Sequence, residues 1–284
     1  MVDQVSPVVR GRRLAAQLRR LRTAAGLTID QVAAQLECST AKVSRFENGQ
    51  VTVRIQDARE LLDLYEVTGP EREELLGLVR QAREQGWWHA YADMLPAGME
   101  TYIGLEHEAH SIRVHNMGLI PGLVQTERYA WEINVTALDT PLSEVERQTE
   151  LRLARQRILT RSEPVLLHLV IDESTLRRRV GAPDVMAEQY RYLAEIAERE
   201  NITVQVLPFS AGAHQSSAFS YNIVSFADPV DPRVVYIGLL DGCVYRTDAA
   251  QTGRYDAAFE QAAALALGPA ASVGLLRSLA EESG

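Results

Sequence analysis

Apolar residues at Leu14, Leu18 and Leu21, with Arg12, Arg13, Arg19, Arg20 and Arg22 between them, predict a helix from Arg10 to Ala25. It has one buried stripe and a basic surround, and Gly26 ends it. Residues 1–9 show little periodicity beyond Ser6-Pro7 and read as a short flexible arm. A second helix starts at Thr28, where Gln31 completes a capping box ahead of Val32, Ala33 and Leu36. A tight turn through Glu37 and Cys38 leads to Ser39, a good N-cap for a third helix. In that helix Val43 and Phe46 point inward, while Thr40, Ala41, Lys42, Ser44 and Arg45 share the exposed face. Asn48-Gly49 stops it. A fourth helix, about Arg54 to Leu64, buries Ala58, Leu61, Leu62 and Leu64, and a fifth begins at Pro70 and carries Leu75, Leu76, Leu78 and Val79. Gly26 to Gly49 therefore has the pattern of a helix-turn-helix, whose second helix suits a DNA major groove.

Beyond Gln85 the pattern changes. Trp87, Trp88 and Tyr91 precede Pro96-Ala97-Gly98, which marks a junction at 86–97 with the aromatics as hinge packing. Residues 98–137 read as helix, a short extended piece at Ile112-Arg113-Val114, and a helix from about Thr126. Residues 143–160, capped by Ser143 with Glu146 three on, form a long Arg/Glu-rich helix whose charges suit a solvated or intersubunit face. Val165 to Ile171 is an apolar run interrupted only by His168 and reads as a buried strand. A helix follows at 183–199, then strands at Ile202–Leu207, Phe219–Phe226, Val234–Leu240 and Cys243–Tyr245, then helices from Ala249 to about Leu267 and from Ala271 to Leu279. The expected architecture is an all-α, five-helix N-terminal domain (1–85) and a mixed α+β C-terminal domain (98–284) whose sheet is covered by helices.

The net charge of −9 over 284 residues argues against nucleic acid, but its distribution does not. Residues 1–54 hold nine Lys/Arg against four Asp/Glu, leaving 20 basic and 34 acidic residues for the rest. Two cysteines, Cys38 and Cys243, form no metal-ligand spacing, and no apolar run reaches membrane-span length. A reduced, cytoplasmic, nucleoid-associated protein without metal, cofactor or membrane contact is the expectation.

Leu27-Thr28, Val32-Ala33, Ser39, Val43-Ser44-Arg45 and Glu47-Asn48-Gly49 together resemble the lambda-repressor-like (XRE-type) DNA-binding domain. Gly86-Trp87-Trp88, the stretch Tyr102 to Glu106, Pro121 to Thr126, Leu153 to Arg157 and Val206 to His214 are similar to the uncharacterised C-terminal domain of WhiJ-like actinobacterial regulators. The resemblance implies a transcription factor on double-stranded operator DNA, often paired with a small protein, with no established catalytic activity. It implies DNA contacts from Ser39, Thr40, Ala41, Lys42, Ser44 and Arg45, with Asn48 and Arg54 near the backbone. Arg45 suits a bidentate contact to guanine, Ala41 a thymine methyl, and Lys42 a phosphate. Arg22 and Glu47 match a structural ion pair joining the first and third helices. Two positions depart from the family: Ile29 replaces a phosphate-binding Gln, and Glu37 replaces a turn Gly.

Asp172-Glu173 with His168, and the loop carrying Ser210, His214, Gln215 and Ser216, are the groups an enzyme would use. No nucleophile elbow, P-loop, dinucleotide or zinc-protease spacing accompanies them, so the loop reads as a ligand or partner surface. The expectation is a homodimeric regulator, a repressor, with a signal-receiving C-terminal domain; an antitoxin-like protein sequestering a small partner is the alternative.

Overall fold

The computed structural model describes residues 6–49, 51–136, 140–228 and 231–284. The chain divides into two compact units, one ending at His89 and one spanning Ala90–Gly284.

The first unit contains five helices: α1 (Pro7–Ala24), α2 (Ile29–Gln35), α3 (Thr40–Glu47), α4 (Ile55–Leu64) and α5 (Gly69–Gln81). Leu14, Leu18, Val32, Ala33, Val43, Phe46, Ala58, Leu61, Leu62, Leu75, Leu76 and Val79 form one continuous core, so each predicted apolar stripe meets the others. The flexible arm is corrected at its end. Ser6 accepts from the Val8 amide, Pro7 occupies the first turn, Val9 is buried and Arg10 bonds Glu84 at 3.1 Å. Proline's fixed φ starts a helix that periodicity alone does not reveal. Residues 1–5 of that arm lie outside the described residues.

In the second unit α6 (Met99–Glu108) precedes β1 (Ser111–Asn116), and α7 (Glu127–Val135) and α8 (Leu142–Arg155) precede β2 (Leu166–Asp172). Then come α9 (Glu173–Arg177), α10 (Pro183–Ile196), β3 (Ile202–Leu207), the strands β4 (Tyr221–Ser225), β5 (Val234–Leu239) and β6 (Gly242–Arg246), and the helices α11 (Ala249–Leu265) and α12 (Pro269–Ser283). The sheet order is β3-β2-β1-β4-β5-β6. β1, β2 and β3 are parallel, with Ile112 beside Leu167 and Leu169 beside Val204, whereas β4, β5 and β6 run antiparallel. The short piece at Ile112–Val114 is thus a central strand where the parallel half joins the antiparallel half.

Side-chain alternation sets the two faces. Val170, Tyr221, Ile223 and Val235 pack on Phe259 and Ala262 of α11. On the other face Asn222 donates to the Tyr102 hydroxyl at 2.6 Å, and Tyr102 of α6 stacks on Tyr236 with ring centroids 3.9 Å apart. The fold is therefore a helical N-terminal region followed by a mixed sheet with helices. No single helix among the described residues is long and apolar enough to cross a membrane.

Helix α8 differs from its sequence reading. It starts at Leu142, with Pro141 in the cap position and no side-chain cap, because the ring of Pro141 fixes its own φ at −62° and launches the helix before Ser143 is reached. Its charges are not all solvated: Arg155 pairs with Glu106 at 2.7 and 2.8 Å, with side chains 10% and 1% exposed.

Candidate nucleic-acid interface

The geometry begins with the α2 cap. Thr28 Oγ1 accepts from the Gln31 amide at 3.2 Å and Gln31 Oε1 accepts from the Thr28 amide at 2.8 Å, so two orphan donors are satisfied reciprocally. Ile29, where the resembled family places a phosphate-binding Gln, packs its partly buried side chain on the helical core. The turn after α2 carries Glu37 at φ 48°, a left-handed conformation that an L-residue adopts at a cost. The Cys38 amide closes it onto the Ala33 carbonyl at 2.9 Å.

Ser39 Oγ accepts from the Lys42 amide at 3.2 Å and starts α3. Burying Val43 and Phe46 then turns the opposite face outward. Ser39, Thr40, Ala41, Arg45 and Asn48 are exposed and Ser44 is half-buried. Arg45 Nε rests on the Ala41 carbonyl at 3.2 Å, which aims the guanidinium along this face, and Asn48 Nδ2 donates to Ser44 Oγ at 3.2 Å. Arg54 is exposed at the start of α4.

Lys42, the expected phosphate ligand, has a partner within the fold and a side chain that is 37% exposed. Its Nζ lies 2.7 Å from Asp57 Oδ1 of α4 and 5.4 Å from the Phe46 ring centroid. The ammonium therefore ties α3 to α4.

Arg22 and Glu47 form a bidentate pair at 2.6 and 2.9 Å, with side chains 14% and 5% exposed, and Arg22 also donates to the Leu27 carbonyl at 2.8 Å. The hydrogen bond to Glu47 raises the Arg22 pKa against the opposing effect of burial. This pair fixes the angle between α1 and α3 and so the direction in which the exposed face of α3 points.

The second unit presents a different constellation. His214 lies on the loop after β3 and His115 near the end of β1, with ring centroids 5.6 Å apart. His115 Nδ1 donates to the Phe219 carbonyl at 3.2 Å, which leaves Nε2 as the unprotonated nitrogen. His115 Nε2 and His214 Nδ1 are buried and have no hydrogen-bond partner among the described residues. Burial depresses the His115 pKa to about 4, so the ring is neutral. Of the loop residues singled out by sequence, Ser210 and Gln215 are exposed, but Ser216 is buried against the Tyr221 hydroxyl at 2.9 Å and supports the loop instead of facing a ligand. Asp172 caps α9 through the Ser174 amide at 2.9 Å, and His168 bonds Gln205 at 2.7 Å, so these two do not form an acid–base pair. His115 escaped the sequence reading because its only signal is a polar residue inside an apolar strand.

Comparison with known proteins gives two matches. A family described as a helix-turn-helix domain matches residues 13–75, which contain α2, α3 and the turn between them. No curated protein and no solved structure matches the chain. The second match, to the family described as a domain of unknown function (DUF5753), spans residues 99–278 and so takes in the entire sheet. Covering more than half of the chain, it establishes that this protein belongs to the DUF5753 family and joins that domain to an N-terminal helix-turn-helix.

Proposed function

We propose that the protein is a sequence-specific transcriptional regulator of the XRE type, with a WhiJ-like second domain, that reads operator DNA through α3. The carrying observation is the face of α3: Thr40, Ala41 and Arg45 project to solvent beside Ser39 and Asn48, on a helix whose other side is locked into the core. Arg45 reads a guanine edge, Ala41 meets a thymine methyl, and Thr40, Ser44, Asn48 and Arg54 supply hydrogen bonds to bases or backbone. Lys42 acts by holding α4 in place. The basic excess of residues 1–54 supports this reading, since phosphate neutralisation carries much of DNA affinity.

The regulator works as a homodimer and represses, with two α3 helices one turn of DNA apart and the second domain, 98–284, providing association and receiving the signal. The acidic balance of that domain supports keeping it off the phosphates. It has no catalytic role in this reading.

Selection of bound sequences from a randomised duplex library, followed by fluorescence anisotropy at fixed salt, tests the proposal. Arg45→Ala lowers specific affinity by about 1–3 kcal/mol and relaxes preference at one base position per half-site. Unchanged affinity and unchanged preference in Arg45→Ala would refute α3 as the reading helix.

A further inference from the structure

Helix α8 directs two guanidiniums, Arg152 and Arg155, inward from positions three apart. Arg155 is satisfied: it forks onto Glu106 and lies 5.5 Å over the Tyr102 ring. That uses the carboxylate. Arg152 donates Nη1 to Gln125 Oε1 at 2.8 Å, and no acidic side chain among the described residues forms a salt bridge with it. Gln125 is held in this orientation because its Nε2 donates to the Ile120 carbonyl at 2.6 Å. Arg152 is thus a desolvated cation with a neutral partner, next to a second cation, with one carboxylate between the two. Burial, reinforced by repulsion from Arg155, pulls its pKa down to about 10, which still leaves it charged at neutral pH.

Arg152 and Arg155 are both among the residues lining a half-open cavity of about 280 Å³. The rest of its wall is largely apolar, from Met94, Leu95, Met99 and Leu151, with the Gln148 amide as a further polar group. Concave, largely apolar walls with a few convergent polar groups are the usual form of a small-molecule site. Here the polar group is an arginine with donors to spare, and a guanidinium pairs best with a planar oxyanion.

We propose that this cavity binds a small amphipathic carboxylate, with its head on Arg152 and its apolar body against Met94, Leu95, Met99 and Leu151. A monoanion matches the one positive charge left after Glu106 neutralises Arg155. A phosphate dianion would exceed it and find few further donors in the apolar wall. Met94, Leu95 and Met99 belong to the segment through which the chain enters the second unit, so the occupant is held between that segment and α8. This site lies outside the DNA-reading proposal, and neither depends on the other.

The test is isothermal titration of the full chain, without DNA, using octanoate, octanol and octylamine. Octanoate binds saturably at one site per chain, octanol binds about tenfold or more weakly, and octylamine does not bind. Arg152→Gln reduces octanoate affinity to that of octanol. Leu95→Trp fills the cavity and abolishes octanoate binding while the thermal melt is retained, and it decides the matter if Arg152→Gln does not fold. Absence of saturable octanoate binding, equal affinity for octanoate and octanol, or wild-type octanoate affinity in either folded variant would each overturn the proposal. DNA affinity measured on the same preparations reports separately on α3.

Discussion

Removing the Glu47 side chain tests the physical basis of the DNA-reading unit. Glu47 accepts two short bonds from Arg22, and both side chains are largely withdrawn from water. In Glu47→Ala the guanidinium keeps only its bond to the Leu27 carbonyl and stays between α1 and α3 without a counter-charge. Loss of one partner of a buried pair costs about 3–5 kcal/mol; the lower end applies here because Arg22 retains a backbone acceptor and some access to water. For a helical unit of this size, about 3 kcal/mol corresponds to a fall of roughly 12–24 °C in melting temperature. The loss is local, so the assay is hydrogen exchange with peptide-level mass spectrometry on the full chain. Protection falls in α1, α3 and α4, while the strands β1 to β3 exchange as before. The companion variant Arg22→Met/Glu47→Leu replaces the pair by apolar groups and recovers stability to within about 1 kcal/mol of wild type, because the expensive species is the orphaned charge. Wild-type protection in Glu47→Ala would refute the argument, as would a double variant no more stable than the single one.

Glu37→Gly, at the left-handed residue of the turn, relieves the Cβ penalty at φ 48° but makes the unfolded chain more flexible; the net gain is roughly 0.5–1 kcal/mol by urea denaturation, and a loss of stability would contradict the strain assignment. His115 carries a pH dependence of defined sign. The unfolded chain takes up a proton below about 6.5, while the folded ring resists until about 4, so stability is full above pH 6.5 and declines as pH falls toward 4. The shift corresponds to roughly 3 kcal/mol across that window, and His115→Gln, compared by denaturation at pH 7 and pH 4.5, shows a smaller loss than wild type. An identical pH dependence in both proteins would remove His115 as its source.

What the sequence made legible was local. The capping box at Thr28 and Gln31, the Ser39 cap, the inward Val43 and Phe46 and the glycine stop all depend on residues a few positions apart, and each is found in the structure. The structure also joins Arg22 to Glu47 across 25 residues, a pairing that the family resemblance supplied and spacing alone could not. Lys42 shows the limit. Position on α3 assigns it to the DNA side, but Asp57, 15 residues on, comes within 2.7 Å only once α4 has docked. The start of α8 differs for a local reason instead: Ser143 and Glu146 satisfy a capping-box pattern, yet Pro141 takes the N-cap position and the helix already runs from Leu142.

In the second unit the informative partners are distant in sequence, and strand order decides which of them meet. Placing β1 between β2 and β4 brings Tyr221 beside His115 in register, and the Phe219 carbonyl just beyond β4 accepts from the His115 ring. Without β4 on that side of β1, His115 would lack the Phe219 carbonyl that accepts from its Nδ1. The same holds for α8. Its alternating Arg and Glu residues read as a solvated face because periodicity reports which residues share a side, not what stands opposite. Glu106 stands opposite Arg155, 49 residues earlier, and only a neutral amide, Gln125, stands opposite Arg152. With Glu106 taken up by Arg155, the guanidinium of Arg152 is left with a neutral amide as its partner, and that missing counter-charge is the observation on which the proposed carboxylate site rests.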